Sequence, residues 1–184
     1  MKMKLGPKNC LYPMPTTLIG ALVNGKPNYI TIAHVGIMDL TSVSLGMNKS
    51  HFTNAGIKEN KTFSVNIPST KLIKETDYCG FASMEDTDKF STIGFTEAKA
   101  DKVNAPLIKE CPLNLECVVK QILPLGTHDL FIAEVVAAHA DEDILDGDEI
   151  SMEKLSLFAY CPIVHEYRAI GDKIGIYGFS TQGN

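Results

Sequence analysis

From Ser42 to Met47 the chain alternates without a break: Val43, Leu45 and Met47 are apolar, while Ser42, Ser44 and Gly46 are polar or small. A period of two predicts a strand with one buried face. The same period recurs over Thr62 to Ile67, where Phe63, Val65 and Ile67 alternate with polar residues. It recurs again where Leu113, Leu115, Cys117 and Val119 alternate with Asn114, Glu116 and Lys120. The partner of that last strand lies at about 128–139, beyond Pro124-Leu125-Gly126-Thr127. Two denser apolar runs, 16–23 and 29–33, follow a Pro-rich entry at Pro13 and Pro15. Between them stands Asn24-Gly25, a pair suited to the positive backbone angles of a tight hairpin. A final strand is expected near Leu155 to Tyr160. Helices are expected over His51 to Asn60, with Ser50 as N-cap, and over 69–79. Glu85 to Lys89 reads as a charged loop or turn and Asp141 to Glu149 as an acidic loop. Several antiparallel strands with few, short helices predict a mainly β chain, a small barrel with helical decorations, in one domain over 1–184.

Charge and composition narrow the classes. The chain has 184 residues and a formal net charge of -5, which argues against bulk nucleic-acid binding, since that needs a basic surface. No run approaches the roughly 18 apolar residues of a membrane span, and no apolar run follows Met1 to Gly6 as in a secretory leader. A cytoplasmic location is the expectation. The five cysteines are scattered and form no Cys-x-x-Cys pair, the pattern of separate reduced thiols and not of a disulfide framework or zinc site. Cys117, on the apolar side of its strand, is expected in the core.

Several motifs fail on inspection. Gly20 to Lys26 nearly spells a nucleotide phosphate loop, but Pro27 stands where a Ser or Thr must ligate magnesium, and a hairpin turn explains the same residues. Gly171, Gly175 and Gly178 have the wrong spacing for a dinucleotide fingerprint. Asp141, Asp143, Asp146 and Asp148 are out of register for a calcium loop. The five histidines are too dispersed for a ligand set, so no metal is expected. What remains is the polar knot Asn48-Lys49-Ser50-His51 between a strand and a helix. Backbone amides at a helix start, with Lys49, Ser50 and Thr53 beside them, suit a phosphate; an ordinary capped helix is the alternative.

In that order of segments the chain resembles the flavin reductase-like, FMN-binding split-barrel family, which includes the flavoredoxins. Pro27-Asn28-Tyr29-Ile30-Thr31-Ile32-Ala33 is similar to the family's strand beneath the flavin ring. Lys49-Ser50-His51-Phe52-Thr53-Asn54, through Ile57, Asn60 and Phe63-Ser64-Val65-Asn66, resembles its phosphate turn, helix and next strand. Cys79-Gly80, Ser83 and Asp88-Lys89-Phe90 match a further segment. Gly126-Thr127-His128-Asp129-Leu130 ahead of Ala133-Glu134-Val135 resembles a late strand. Met84-Glu85 stands where the family has Gly-Arg, and the paired prolines common after Ala33 are missing.

The resemblance implies an antiparallel split β-barrel with short flanking helices that binds FMN. It implies a phosphate seat at Asn48, Lys49, Ser50, His51, Thr53 and Asn54, and a ring bed over Asn28, Thr31, Ile32, Ala33, His34, Val35 and Gly36, the last four as a loop. Lys89 and His128 are the implied catalytic residues, Lys89 beside the flavin as a cation that favours its reduced form. The implied activity is that of a flavin reductase or flavoredoxin using NADH, NADPH or a protein donor. A flavin carrier or sensor without turnover is the alternative. A homodimer and a small flavin or redox protein as partner are implied as well.

Overall fold

The computed structural model describes residues 1–81 and 93–181. Its main sheet holds seven antiparallel strands: β2 (Thr17–Val23), β3 (Lys26–Ile32), β4 (Val35–Ile37), β5 (Ser42–Asn48), β6 (Thr62–Ile67), β9 (Leu113–Pro124) and β10 (His128–Ala140). A separate sheet joins β1 (Met14–Pro15), β13 (Phe158–Cys161) and β14 (Glu166–Ala169). Two small hairpins complete the strands among the described residues: β7 (Glu97–Ala98) with β8 (Leu107–Ile108), and β11 (Leu145–Asp146) with β12 (Glu149–Ile150). The helices α1 (Phe52–Asn60) and α2 (Ile73–Phe81) flank the main sheet.

The order of that sheet is β3-β2-β6-β9-β10-β5-β4. Its two edge strands are therefore consecutive in sequence, with only Ala33 and His34 between them. Ile32 and Val35 can stand at most about 11 Å apart across three peptide units. A flat sheet of this size separates its edges by about 29 Å at the usual strand spacing. The sheet must roll up, and its inward face becomes the core. Ile19, Ile30, Leu45, Met47, Phe63, Val65, Cys117 and Phe131, from six different strands, share one buried cluster with Ile57 of α1. Cys117 is in the core as expected.

The hairpin at Asn24-Gly25 forms as its residues require: both have positive φ (51° and 74°), and Val23 pairs with Lys26 across the two-residue loop. That is the backbone handedness which matches strand twist.

Five expectations are corrected. Ser50 does not cap α1; the N-cap position belongs to His51, which makes no side-chain cap bond. Ser50 instead gives both its N–H and its hydroxyl to Asn48 Oδ1, each at 3.0 Å, because a short asparagine side chain closes a local turn more directly. The segment 33–36 is not all loop: Val35 and Gly36 belong to β4 and pair with Leu45 and Ser44. The segment 155–160 begins in a helical turn, Met152–Leu155, and its strand runs Phe158–Cys161. The strand β9 has no solvated face near its start, since Asn114 and Glu116 are buried as well as Cys117. The chain from Asp101 to Ile108 crosses that second face and hands its backbone groups to those two side chains. The helix expected over 69–79 begins as a 3-10 turn, Thr70–Leu72, and continues as α2. The charged turn Glu85 to Lys89 lies outside the described residues. Among the described residues, no helix is long and apolar enough to cross a membrane.

Candidate functional site

A cleft of about 210 Å³ opens at the seam where the two sheet edges meet. The end of β3 and its link to β4 supply Thr31, Ile32, Ala33 and His34; β5 supplies Gly46 and Asn48; His51 and His128 come from the α1 start and the β10 start. The small sheet closes the far wall with Met14, Tyr160 and Pro162. A second groove of about 380 Å³ adjoins it and shares His34, Gly46 and His128, adding Asn9 and the β9–β10 turn Leu125-Gly126-Thr127.

The cleft has this shape because β5 and β10 pair in register, His128 opposite Asn48 and Leu130 opposite Gly46. Alternation then sends Asn48 and His128 to the cleft side and Met47 and Asp129 inward. Gly46 keeps the approach close there: its N–H donates to the His34 carbonyl at 2.8 Å, and a Cβ on it would stand 3.3 Å from the His34 Cβ, a tight contact. The rings of His34 and His128 meet edge to face with centroids 5.7 Å apart. Burial, and then the neighbouring His128, hold the His34 imidazole below its ordinary range, so two positive charges do not gather at this point. His128 Nδ1 is 2.8 Å from the Thr127 hydroxyl.

The turn at the other end is tightly tied. Asn48 Oδ1 holds Ser50, the Lys49 N–H reaches the Thr127 carbonyl at 3.1 Å, and the Lys49 ammonium reaches the carbonyls of Leu125 and Gly126 at 2.5 and 2.9 Å.

Of the residues expected in the site, the fold brings Thr31, Ile32, Ala33, His34, Asn48, His51 and His128 to one cleft. Lys49 and Ser50 sit exposed on the turn beside it, and Val35 and Gly36 continue into β4. Three others lie inside. The Asn28 amide donates to the Thr53 hydroxyl at 2.6 Å, both side chains being buried, and neither borders the cleft. Asn54 is buried and spends its amide on the Met47 carbonyl and Asp129. Thr31 gives its hydroxyl proton to the Thr76 carbonyl, which leaves its oxygen only an acceptor. Lys89 lies outside the described residues.

Met14, Gly46, Tyr160 and Pro162 were not anticipated. A glycine within a strand does signal a close approach, and Gly46 carried that signal. Met14 and Tyr160 carried none, because they meet only by pairing across the small sheet, β1 to β13. The Tyr160 hydroxyl is 2.9 Å from His165 Nδ1, and its ring packs on Tyr167 with centroids 5.3 Å apart, which holds this wall in place.

The same architecture occurs in solved structures. Flavoredoxin from Methanosarcina acetivorans is 36% identical and superposes with a TM-score of 0.93 over 99% of this chain and 98% of its own. Flavoredoxin of Desulfovibrio vulgaris (Miyazaki F) is 28% identical, with a TM-score of 0.92 over 99% of this chain and all of the other (100%). An uncharacterized protein of Archaeoglobus fulgidus is 34% identical over 139 residues, 74% of this chain and 78% of that one. The profile of the flavin reductase like domain matches residues 9–167. With the rolled sheet, the seam cleft and that match in agreement, the chain belongs to the flavin reductase-like family.

Proposed function

We propose that this chain is an FMN-binding oxidoreductase, with the flavin ring in the seam cleft and its phosphate at the turn Asn48-Lys49-Ser50-His51. The cleft itself carries the reading: one continuous depression runs from apolar walls, Ile32, Ala33, Met14 and Pro162, to polar groups at Asn48, His51 and His128. A flat ring with a polar edge and an anionic tail asks for that gradient. The start of α1 adds helix-start amides, and Lys49 stands beside them as a cation. FMN supplies the electron-accepting chemistry when bound; the chain orients it, shields it and sets the charge around it. His34 is held neutral and His128 lies at the mouth of the adjoining groove, which is the side open to a second reactant. NADH, NADPH or a reduced protein would give electrons there, and a free flavin or redox protein would take them.

The test is direct. Purified chain titrated with FMN is expected to bind with a shift of the flavin bands and to melt at higher temperature, as any ligand of the native state requires. Adding NADH or NADPH then separates the two kinds of oxidoreductase. Oxidation of either nucleotide marks a reductase. Failure with both, while photoreduced flavin still passes electrons on, marks a carrier fed by protein. Met84-Glu85 in place of Gly-Arg removes a cation that would suit a nucleotide, and this observation favours the carrier as the second reading. A chain that neither binds FMN nor gains thermal stability from it ends both.

A homodimer is part of the proposal. Ile37, Leu40, Ile174 and Tyr177 are 87%, 103%, 99% and 104% exposed in the single chain. So much apolar surface in the β4–β5 connection and the C-terminal arm marks a face that another chain covers, and twofold dimers are the commonest assembly. Sedimentation is expected to give twice the chain mass, and Leu40→Glu with Ile37→Lys to lower it; a wild-type monomer at micromolar concentration would remove this part.

A further inference from the structure

The start of α1 is held by a buried charge that no cleft contact explains. Asp129 is 2% exposed. It pairs with Met47 on the inner side of the β5–β10 ladder, back to back with the Asn48–His128 pair that faces the cleft. Its Oδ2 accepts from the Lys58 ammonium at 2.5 Å and from the Asn54 amide at 3.1 Å. The same Asn54 nitrogen also reaches the Met47 carbonyl at 3.2 Å, and the Asn54 backbone N–H closes on the His51 carbonyl at 3.0 Å. Two successive turns of α1, at Asn54 and Lys58, are thereby tied to one carboxylate on β10.

Apolar packing does not need this device. Ile57 is fully buried against the sheet core and Gly56 lies on β2, so α1 is already attached. Burying a carboxylate is costly, and a paired one often contributes little more than an apolar pair of the same shape. What Asn54 and Lys58 add is direction: they stop α1 from rotating about its axis. The residues that such a rotation would move first are His51 and the turn ahead of it. On the other side the Lys49 ammonium is tied to the β9–β10 turn, so the Asn48–His51 turn is braced from two sides by the tip of one hairpin.

We propose that Asp129, acting through Asn54 and Lys58, is a positioning residue that holds the Asn48–His51 turn in the geometry that receives a phosphate. This rests on the phosphate seat proposed above. Its sign distinguishes it from plain electrostatics. Asp129 is an anion behind an anion site, so if it acted by charge alone, removing it would tighten phosphate binding. Acting as a brace, its removal loosens the turn and weakens that binding.

The experiment compares FMN with riboflavin, which lacks the phosphate, by fluorescence titration of the full chain and of Asp129→Asn. The wild type is expected to favour FMN. The variant is expected to lose about tenfold in FMN affinity, an effect of about 1.4 kcal/mol, while riboflavin affinity stays within about a factor of two. An unchanged or tighter FMN affinity in the variant overturns the proposal, and so does an equal loss for both ligands. A wild type that does not distinguish the two flavins refutes the phosphate seat itself and the brace with it. Should Asp129→Asn fail to fold, the pair Lys58→Met with Asp129→Asn buries no unmatched charge and carries the same expectations.

Discussion

Replacing Gly56 by alanine is expected to destabilise the protein by about 2–3 kcal/mol, although alanine is the better helix former. Gly56 is the fifth residue of α1 and is buried. A Cβ there would stand 2.3 Å from the Leu22 carbonyl oxygen and 2.9 Å from a Val23 methyl. The first obstacle is backbone within the β2 strand and cannot swing aside, so the helix itself must move. Helix propensity returns about 1 kcal/mol, whereas overpacking against backbone this close costs about 3–4 kcal/mol, at or above the top of the usual range of about 1–3. The clash therefore wins. In a chain of this length the loss lowers the melting temperature by about 5–10 °C. Ala55 is the internal control: it is exposed on the same helix, so Ala55→Gly is expected to cost only the propensity difference of about 1 kcal/mol. Thermal melts of both variants settle the matter. A Gly56→Ala protein as stable as the wild type would mean that α1 does not lie on β2 as described.

A comparable loss, about 3 kcal/mol, is expected for Glu116→Gln. This carboxylate is fully buried and has every acceptor position in use. Oε1 takes the Asp101 N–H at 2.8 Å and His139 Nε2 at 2.7 Å; Oε2 takes the N–H groups of Lys102 and Val103 at 2.6 and 3.0 Å. Asp101, Glu116 and His139 lie close enough together to suggest a cation seat, but those four bonds already occupy the carboxylate. Its work is to hold the 101–103 turn against β9. Glutamine would turn an amide donor toward backbone donors and leave buried N–H groups without an acceptor, which costs about 1–3 kcal/mol each.

The same site sets a dependence on acidity. Burial alone would raise the Glu116 carboxyl, but the bonds from Asp101, His139, Lys102 and Val103 outweigh it and hold the group below its ordinary value. A lowered folded value stabilises the ionised native state. The contribution is complete above the unfolded glutamate range, near 4.3, and is lost as pH falls from there through the lower folded value. Urea melts are thus expected to show a constant gap between wild type and Glu116→Gln near neutrality, closing in acid. A gap that stays constant down to pH 3 would contradict the ionised staple.

How much of this was legible beforehand follows from where each signal lives. The hairpin at Asn24-Gly25, the strand over Thr62 to Ile67 and the buried Cys117 rest on neighbours in sequence, and all appear as read. Ser50 misled because two short polar side chains competed for one turn, and Asn48 took it. The alternation around Asn114 and Glu116 reports only that two faces differ. It cannot report that a later segment, 101–108, arrives to cover the second one.

The site divides in the same way. The family resemblance, carried by short contiguous segments, was enough to put Thr31 to His34, Asn48, His51 and His128 forward. That Asn28 and Thr53 bind each other in the interior depends on where α1 lies over β3, a choice made by packing. The far wall of the cleft, Met14 and Tyr160, comes from segments nearly 150 residues apart that meet in a second sheet. From its sequence alone this chain was committed to antiparallel strands, a tight first hairpin and a polar turn ahead of a short helix, because backbone preference and side-chain period act over a few residues. Only the tertiary structure decided the strand order of the barrel, with β3 and β4 as the two edges that meet across two residues, since that follows from strand pairing between distant segments; the cleft exists because of that closure.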